Sequence, residues 1–294
     1  MVTVRKKKIM FNILGMTVII LFLIFLFAPI FWGVITSFKG LLNYIEDKLG
    51  FPETWVFDNY VNAFNNFYVL VNTSHGPKNI YIEEMVLNTL LYAFGCSFSS
   101  AFVRLITAYA LFRYKQYKLS KIIFATIIIA LFVPLFGSTA SELALIRQLG
   151  LYDSIPAMWL LRANFLGIFV MLFYAGFAGV PKDLMDAAEV DGASRFQLMF
   201  KVMIPLIKGL ISLCILQDFI QYWNNYTIPL LYLPSHPTIG LGLFYFNQSS
   251  NNAIAGTPAK LAGALIVAAP IILLLALFGN RLMMQITLTD GIKG

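Results

Sequence analysis

The sequence has few charged residues, few cysteines and few histidines, and each shortage excludes a class of protein. Only 12% of the 294 residues are charged and 59% are hydrophobic, whereas soluble domains carry about 25% charged residues. A soluble globular domain is therefore excluded. Cys96 and Cys214 both fall inside apolar runs, where they are expected to act as small apolar side chains and not as a disulfide or metal pair. His75 and His236 lie far apart in polar segments, so no metal site is expected.

Two further absences concern chemistry. The Gly-x4-Gly-Lys-Ser/Thr loop that holds nucleotide phosphates does not occur, so the chain is expected to bind no ATP itself. No other bound cofactor is expected. Asp218 is the only acid well inside an apolar run, whereas an intramembrane aspartyl protease needs paired carboxylates. The chain is therefore not expected to be an enzyme.

Long apolar runs are what the sequence has instead. A helix needs about 20 apolar residues to cross a bilayer, and five runs without charge come near or exceed that length. A sixth is apolar at both ends and polar in its middle, and it is counted as well. The first run is too long for the core of a signal peptide and is predicted to stay as a span. In chain order the predicted spans are residues 9–38, 85–103, 122–141, 163–181, 209–233 and 261–280.

The distribution of lysine and arginine predicts the orientation. In a membrane protein the net charge of +7 does not indicate a nucleic-acid partner, because cytoplasmic loops are enriched in these residues. With six spans, fourteen of the 21 lie on the side of the N-terminus, six on the other side, and Arg104 within a span. Both termini, residues 1–8 and 281–294, are therefore predicted to be cytoplasmic, and residues 39–84 to form an external loop. The whole chain, 1–294, is predicted to be one transmembrane domain.

Between the fourth and fifth spans, residues 186–192 read DAAEVDG. Pro181 suits a first helical turn, Gly192 suits a left-handed helix end, and Ser194 with Gln197 forms a capping-box pattern. Residues 182–201 are therefore predicted to form a short helix, a glycine turn and a second helix. By the same kind of signal, LGLYDS (149–154) predicts a helix end and a turn, and residues 234–259, rich in Pro and Gly, are predicted to be a loop.

This segment closely resembles the loop that marks permease subunits of binding-protein-dependent ABC importers. The family pattern is Glu-Ala-Ala, three residues, Gly, nine residues, Ile, one residue, Leu-Pro. Here every spacing is kept, with an aspartate for the glutamate and two aliphatic exchanges, in Asp186, Ala187, Ala188, Gly192, Val202, Ile204 and Pro205. The segments 191–206, Trp223-Asn224 and the terminal GIKG (291–294) are similar to the second permease subunit of maltose-type carbohydrate importers.

The resemblance implies an all-α fold of the type I importer kind, with six membrane helices and a coupling loop that docks on a cytoplasmic ATPase. It implies a heterodimer with a different permease subunit, two ATPase subunits that use ATP and Mg, and an extracytoplasmic binding protein. The protein would lie in the bacterial inner membrane, in contact with lipid, and its solute would be a sugar or oligosaccharide. The residues implied in coupling are Asp186, Ala187, Ala188, Glu189, Asp191, Gly192 and Pro205.

The polar residues of the fifth span form a stripe. At about 100° per residue, Gln217, Asp218, Gln221, Asn224 and Asn225 fall within roughly 120° of arc, with Tyr222 and Trp223 beside them. A charge at the bilayer centre costs at least ~2.5 to 3.5 kcal/mol, so such residues usually face a cavity or a bundle interior. Amides beside aromatic rings suit a sugar, and we expect these seven residues to line the substrate path. The stripe could instead join two helices.

Several alternatives stay open. Arg104 could pair with Asp218 or extend toward the cytoplasmic interface, and the second is expected. The solute could be something other than a sugar. A different class of protein, an ion-coupled secondary transporter, would use Asp218 as a proton relay.

Overall fold

The computed structural model describes residues 2–73, 76–133, 137–251 and 254–290, and most of them are helical. The terminal GIKG motif lies outside the described residues. The helices are α1 (Val2–Ser37), α2 (Leu41–Glu46), α3 (Asp58–Asn65), α4 (Ile82–Arg113), α5 (Lys118–Phe132), α6 (Thr139–Gln148), α7 (Ile155–Arg162), α8 (Ile168–Ala178), α9 (Lys182–Val190), α10 (Arg195–Gln197), α11 (Ile204–Leu206), α12 (Lys208–Asn224), α13 (Thr227–Tyr232), α14 (Ile239–Gln248) and α15 (Thr257–Asp290). A π-helical turn, Leu198–Met203, joins α10 to α11, and β1 (Tyr68–Thr73) pairs with β2 (Gly76–Tyr81).

Among the described residues, three helical stretches are long and apolar enough to cross a membrane: Asn12–Ser37, Ile82–Arg113 and Thr257–Leu277. Two bent pairs raise the number to as many as five if each pair is one span. The first pair is α8 with α9, bent by 71°, and the second is Arg195–Leu206 with α12, bent by 76°. The structure therefore shows three to five candidate spans where the sequence predicts six.

The predicted third span, residues 122–141, differs from the helices observed. Helix α5 ends at Phe132 after 15 residues, and the chain becomes helical again in α6 at Thr139. Val133 has an extended backbone, as expected for a residue before a proline, here Pro134. The apolar composition of the sequence thus continues past the end of α5.

The chain divides into two compact units, residues 1–68 with 245–269 and residues 69–244 with 270–294. In the second unit α4 is the central helix and packs against α12, α8 and α7. Small residues let these helices approach closely. Gly95 of α4 lies against the Trp159 indole of α7, where a Cβ atom would collide with the ring. The Trp159 Nε1 donates to the Leu91 carbonyl at 2.9 Å, which fixes that ring across α4.

The first unit holds most of the predicted external loop. From Asn12 onward most side chains of α1 are exposed, but the end of the helix is fastened to the residues that follow. Lys39 is fully buried and its Nζ donates to the Asp47 carbonyl at 2.6 Å. The Asp47 carboxylate accepts hydrogen bonds from the backbone amides of Gly50 and Leu49, and these bonds lower the pKa of Asp47. The segment after α1 is therefore an ordered turn and not an open connection.

Two predicted loops contain more structure than their composition indicates. Residues 39–84 include α2, α3 and the β1–β2 hairpin, so the fold is mostly helical and not purely so. The prediction of a loop over residues 234–259 is wrong, because α14 lies within them. Gly240 is not a turn residue there: a Cβ atom on it would lie 3.0 Å from the Trp223 carbonyl oxygen, so the glycine permits close packing. Thr238 caps α14, because its hydroxyl accepts from the Leu241 amide.

The turn predicted at LGLYDS is confirmed. Helix α6 ends at Gln148, and Gly150 follows with a φ of +67°. The Ser154 hydroxyl then accepts from the Ala157 amide and begins α7.

Candidate functional site

The first half of the loop between α8 and α12 has the local structure that its sequence predicts. Helix α9 ends in a glycine turn in which Gly192 has a φ of +81°. The Gly192 amide donates to the Glu189 carbonyl and the Ala193 amide to the Ala188 carbonyl, the bond pair of a Schellman motif. Ser194 and Gln197 form the capping box that begins the next helix. The predicted glycine turn and capping box are therefore both confirmed.

The second half of the loop differs from the simple second helix that the sequence predicts. Helix α10 continues into the π-helical turn, and Pro205 follows in α11 immediately before the 76° bend into α12. Proline has no N–H to donate, so a regular helix is interrupted there. The structure thus places Pro205 at the bend, apart from Asp186, Ala187, Ala188 and Glu189 on α9.

The three carboxylates of the DAAEVDG segment, residues 186–192, have different environments. Glu189 pairs with Arg113, with 2.6 Å between Oε1 and Nη2. Asp186 and Asp191 are exposed and form no ion pair with any described residue. Of the three, only these two present a full charge to solvent. Ala187 and Gly192 are also exposed and Ala188 is half-buried.

Apolar side chains are exposed on the same loop. Leu184, Val190 and Phe196 are 45%, 88% and 76% exposed. Surfaces that combine exposed apolar side chains with a polar rim often bind another protein. The Arg195 guanidinium donates to the Tyr114 hydroxyl at 3.1 Å, so the loop is also held to the turn that follows α4.

The polar stripe of α12 divides into two faces. Gln217, Gln221, Asn224 and Asn225 line an open groove of about 570 Å³. The Asn224 side chain donates to the Ile220 carbonyl, and the Asn225 side chain accepts from the Ile228 amide. Among the described residues the side-chain amides of Gln217 and Gln221 make no hydrogen bond, so both are available to a ligand.

The other three predicted residues, Asp218, Tyr222 and Trp223, are buried and do not line this groove. The Tyr222 ring meets that of Tyr92 edge to face, with 5.4 Å between centroids. The predicted stripe covers roughly 120° of the helix surface, which is wide enough to include both residues that face the groove and residues in the helix interface. The structure thus separates these residues into four that face the groove and three that pack inside.

Arg104 forms an ion pair with Asp218, so the expectation that it extends to the interface is wrong. Its Nη1 donates to Asp218 Oδ2 at 2.7 Å and lies 3.7 Å from Cys214 Sγ. The guanidinium also lies over the Phe169 ring, 5.8 Å from its centroid. Both members of the pair are buried. Because α4 and α12 pack side by side, Arg104 reaches a partner 114 residues away in the sequence.

No described group of three or more His, Cys, Asp and Glu side chains is placed to hold a metal ion. The arrangement offers a neutral amide groove and an exposed loop surface, which suit binding and not covalent chemistry.

Known proteins resemble this chain over most of its length. The family model described as the binding-protein-dependent transport system inner membrane component matches residues 85–286. The inner membrane ABC transporter permease protein YcjP of Escherichia coli is 29% identical over 290 residues, 93% of this chain and 94% of the relative. The probable starch degradation products transport system permease protein AmyC of Thermoanaerobacterium thermosulfurigenes is 28% identical over 250 residues, 83% of each chain.

A solved structure has the same fold. It is a crystal structure of a bacterial ABC transporter involved in the import of the acidic polysaccharide alginate, with a TM-score of 0.75 and 18% sequence identity over 92% of this chain and 96% of the other. The family match includes both the loop of α9 and the groove of α12.

Proposed function

Because the chain belongs to the family of binding-protein-dependent transport system inner membrane components, we propose that it is one of two different permease subunits of an ATP-driven importer for a sugar or oligosaccharide. The relative named for starch degradation products supports a carbohydrate. The groove of neutral amides supports it as well, because sugar hydroxyls need fixed donors and acceptors and no net charge.

The proposed topology has six spans with residues 1–8 and 281–294 in the cytoplasm and residues 39–84 outside. The excess of lysine and arginine on one side supports this orientation. All of these spans except residues 122–141 overlap a long apolar helix or one of the two bent pairs of the described chain. Broken helices are tolerated in a membrane where they are buried in protein or line a cavity.

The proposed role of α9 and its turn is to dock on a cytoplasmic ATPase, which would bind ATP and Mg in place of this chain. The exposed surface of α9 and its turn is the observation that supports this role. Asp186 and Asp191 present charge, while Leu184 and Val190 present apolar area that no described residue covers. The small residues Ala187 and Gly192 allow a partner backbone to approach closely.

The proposed substrate path is the groove lined by Gln217, Gln221, Asn224 and Asn225. Asp218, Tyr222 and Trp223 would act indirectly, by holding α12 against α4 so that the amides face the groove. This arrangement also disfavours the ion-coupled alternative. A proton relay needs a titratable group on the transport path, and the described groove has no acid or histidine, since Asp218 is paired inside the protein.

Copurification tests the proposed assembly. The tagged chain, expressed in its own host and purified in mild detergent, should copurify with one different permease subunit and an ATPase. The expected ratio of this chain to the other permease subunit to the ATPase is about one to one to two. A tagged chain that purifies alone, or only with copies of itself, under conditions where it stays folded would contradict the proposal.

Replacing Gln221 by leucine should weaken uptake of the solute without disturbing assembly. Leucine has a similar size but can neither donate nor accept, and each lost hydrogen bond costs about 0.5 to 1.5 kcal/mol, which corresponds to roughly two- to tenfold in apparent affinity. The measurement is the concentration dependence of uptake of a radiolabelled oligosaccharide. Gln148→Leu is the matched control, because that glutamine is exposed at the end of α6 outside the groove. Equal effects of the two changes would remove Gln221 from the substrate path.

A further inference from the structure

A cavity of about 480 Å³ lies where the end of α4 and the turn after it meet the end of α8 and the beginnings of α9 and α10. Four cations from three segments of the chain line it: Arg113, Lys115, Lys182 and Arg195. Among the described lining residues there is no aspartate or glutamate. Cations that converge from separate parts of a chain repel one another, so the cavity is suited to hold an anion.

Only one of these charges is neutralised within the described chain. Arg113 pairs with Glu189, which lies outside the cavity lining. Arg195 donates to a neutral tyrosine hydroxyl, and the Lys115 Nζ lies over the Phe112 ring, 5.3 Å from its centroid. Neither contact offsets a charge. Lys115, Lys182 and Arg195 therefore leave about three positive charges available to one ligand.

The remaining wall of the cavity combines the polar side chains of Tyr114, Gln116 and Tyr117 with an apolar part. Phe112, Ala178 and Val180 line it at the ends of α4 and α8, and both helices belong to candidate membrane spans. The apolar wall thus continues the surface of membrane helices, and the cations lie just beyond their ends. A free phosphate ion would use only the cations, whereas an amphiphile would use both parts.

We propose that this cavity binds the phosphate-bearing headgroup of an anionic lipid. Lys115, Lys182 and Arg195 contact the phosphate, and the first part of an acyl chain lies along Phe112 and Val180. Basic pockets between membrane helices on the cytoplasmic side are known to accept such headgroups. The inference rests on the proposed function, which places the end of α4 at the cytoplasmic surface.

The proposal assigns the lipid a position beside the coupling loop. Lys182 is the first residue of α9 and Arg195 is the first residue of α10. A headgroup held by both would therefore connect the beginning of α9 and the beginning of α10 to the bilayer surface. The exposed face of α9 would then be presented at a fixed height above the membrane.

A titration with phosphatidylglycerol tests the site. The complex, purified in detergent and stripped of lipid, is titrated while native mass spectrometry counts bound lipid. Combining Lys115→Gln with Lys182→Gln removes two cations but leaves the Arg113–Glu189 and Arg195–Tyr114 contacts in place. Each cation near an anionic lipid surface contributes about 1 kcal/mol, or roughly fivefold, so the double variant should bind roughly 25-fold more weakly.

The matched control combines Lys121→Gln with Lys201→Gln, which removes the same charge from exposed positions outside the cavity. It should leave the affinity within about twofold. Phosphatidylcholine should bind much more weakly than phosphatidylglycerol, and inorganic phosphate at the same concentration should not displace the lipid. Equal weakening by the control, equal binding of phosphatidylcholine, or displacement by inorganic phosphate would each overturn the proposal.

The lipid titration and the proposed function fail separately. The titration needs neither ATP nor solute and can be done on the chain with whatever subunits copurify. If an ATPase copurifies and the two lysines have no effect on lipid binding, only the lipid site is wrong. If the lipid binds as expected and no ATPase copurifies, only the importer assembly is wrong.

Discussion

Replacing Asp218 by leucine should destabilise the protein by about 3 to 5 kcal/mol, since it leaves the Arg104 guanidinium buried without a counterion. The 2.7 Å bond joins α4 to α12, which pack against each other in their unit. We expect a much lower yield of folded protein and a lower midpoint of thermal unfolding in detergent, measured by the fluorescence of a thiol probe on newly exposed cysteine.

The double variant Arg104→Met with Asp218→Leu distinguishes the loss of the whole ion pair from the loss of one partner alone. Replacing a buried ion pair with apolar side chains of similar volume is often neutral, because both desolvation costs disappear with the attraction. The double variant should therefore recover most of the stability that the single variant loses. Asp183→Leu is a control for the loss of an acid, because Asp183 is exposed on α9. A double variant no more stable than Asp218→Leu would show that the unpaired charge of Arg104 is not the cause of the loss in the single variant.

Gly192→Val should abolish coupling while the permease subunits still assemble. At a φ of +81° a β-branched side chain is strained, and the left-handed conformation costs about 1 to 2 kcal/mol for residues with a Cβ atom. No described atom lies within 4 Å of the added Cβ, so the change acts on the turn and on whatever docks there. Solute-stimulated ATP hydrolysis and uptake should fall together, by roughly tenfold or more.

Gly150→Val is the matched control for that strain. Gly150 has a φ of +67° and no described atom near its added Cβ, but it lies in the turn after α6, on the side predicted to be external. It should cost similar stability and leave the stimulation of ATP hydrolysis intact. Gly192→Asn should keep partial activity, because asparagine tolerates this backbone conformation. Normal uptake in Gly192→Val, or an equal loss in Gly150→Val, would contradict the docking role.

The features predicted correctly from the sequence are those with local causes. The glycine turn at Gly192 and the capping box of Ser194 with Gln197 depend on residues within one or two turns of helix. The end of α6 at LGLYDS is of the same kind. Periodicity and propensity act over that range, so the amino-acid order alone is enough to locate these elements.

The features that the sequence does not predict depend on distant residues. Nothing near Arg104 in the chain indicates that Asp218 lies beside it, and the width of the polar stripe does not show which side of α12 faces the groove. Gly240 lies in a segment whose proline and glycine content is typical of a loop. In the structure it instead packs closely against the backbone that follows Trp223. The end of α5 does have a local signal in the sequence, because the residue before a proline disfavours the helical conformation. The apolar run continues past Pro134 and conceals this signal.

In the proposed importer, ATP hydrolysis by partner subunits drives solute through this chain. Uptake of a radiolabelled oligosaccharide into proteoliposomes that contain the copurified complex, with the binding protein outside and ATP sealed inside, tests this coupling. We expect accumulation that requires internal ATP and Mg and the binding protein, and that persists when ionophores remove the proton and sodium gradients. Accumulation without ATP that disappears with the ionophores would instead show the ion-coupled alternative.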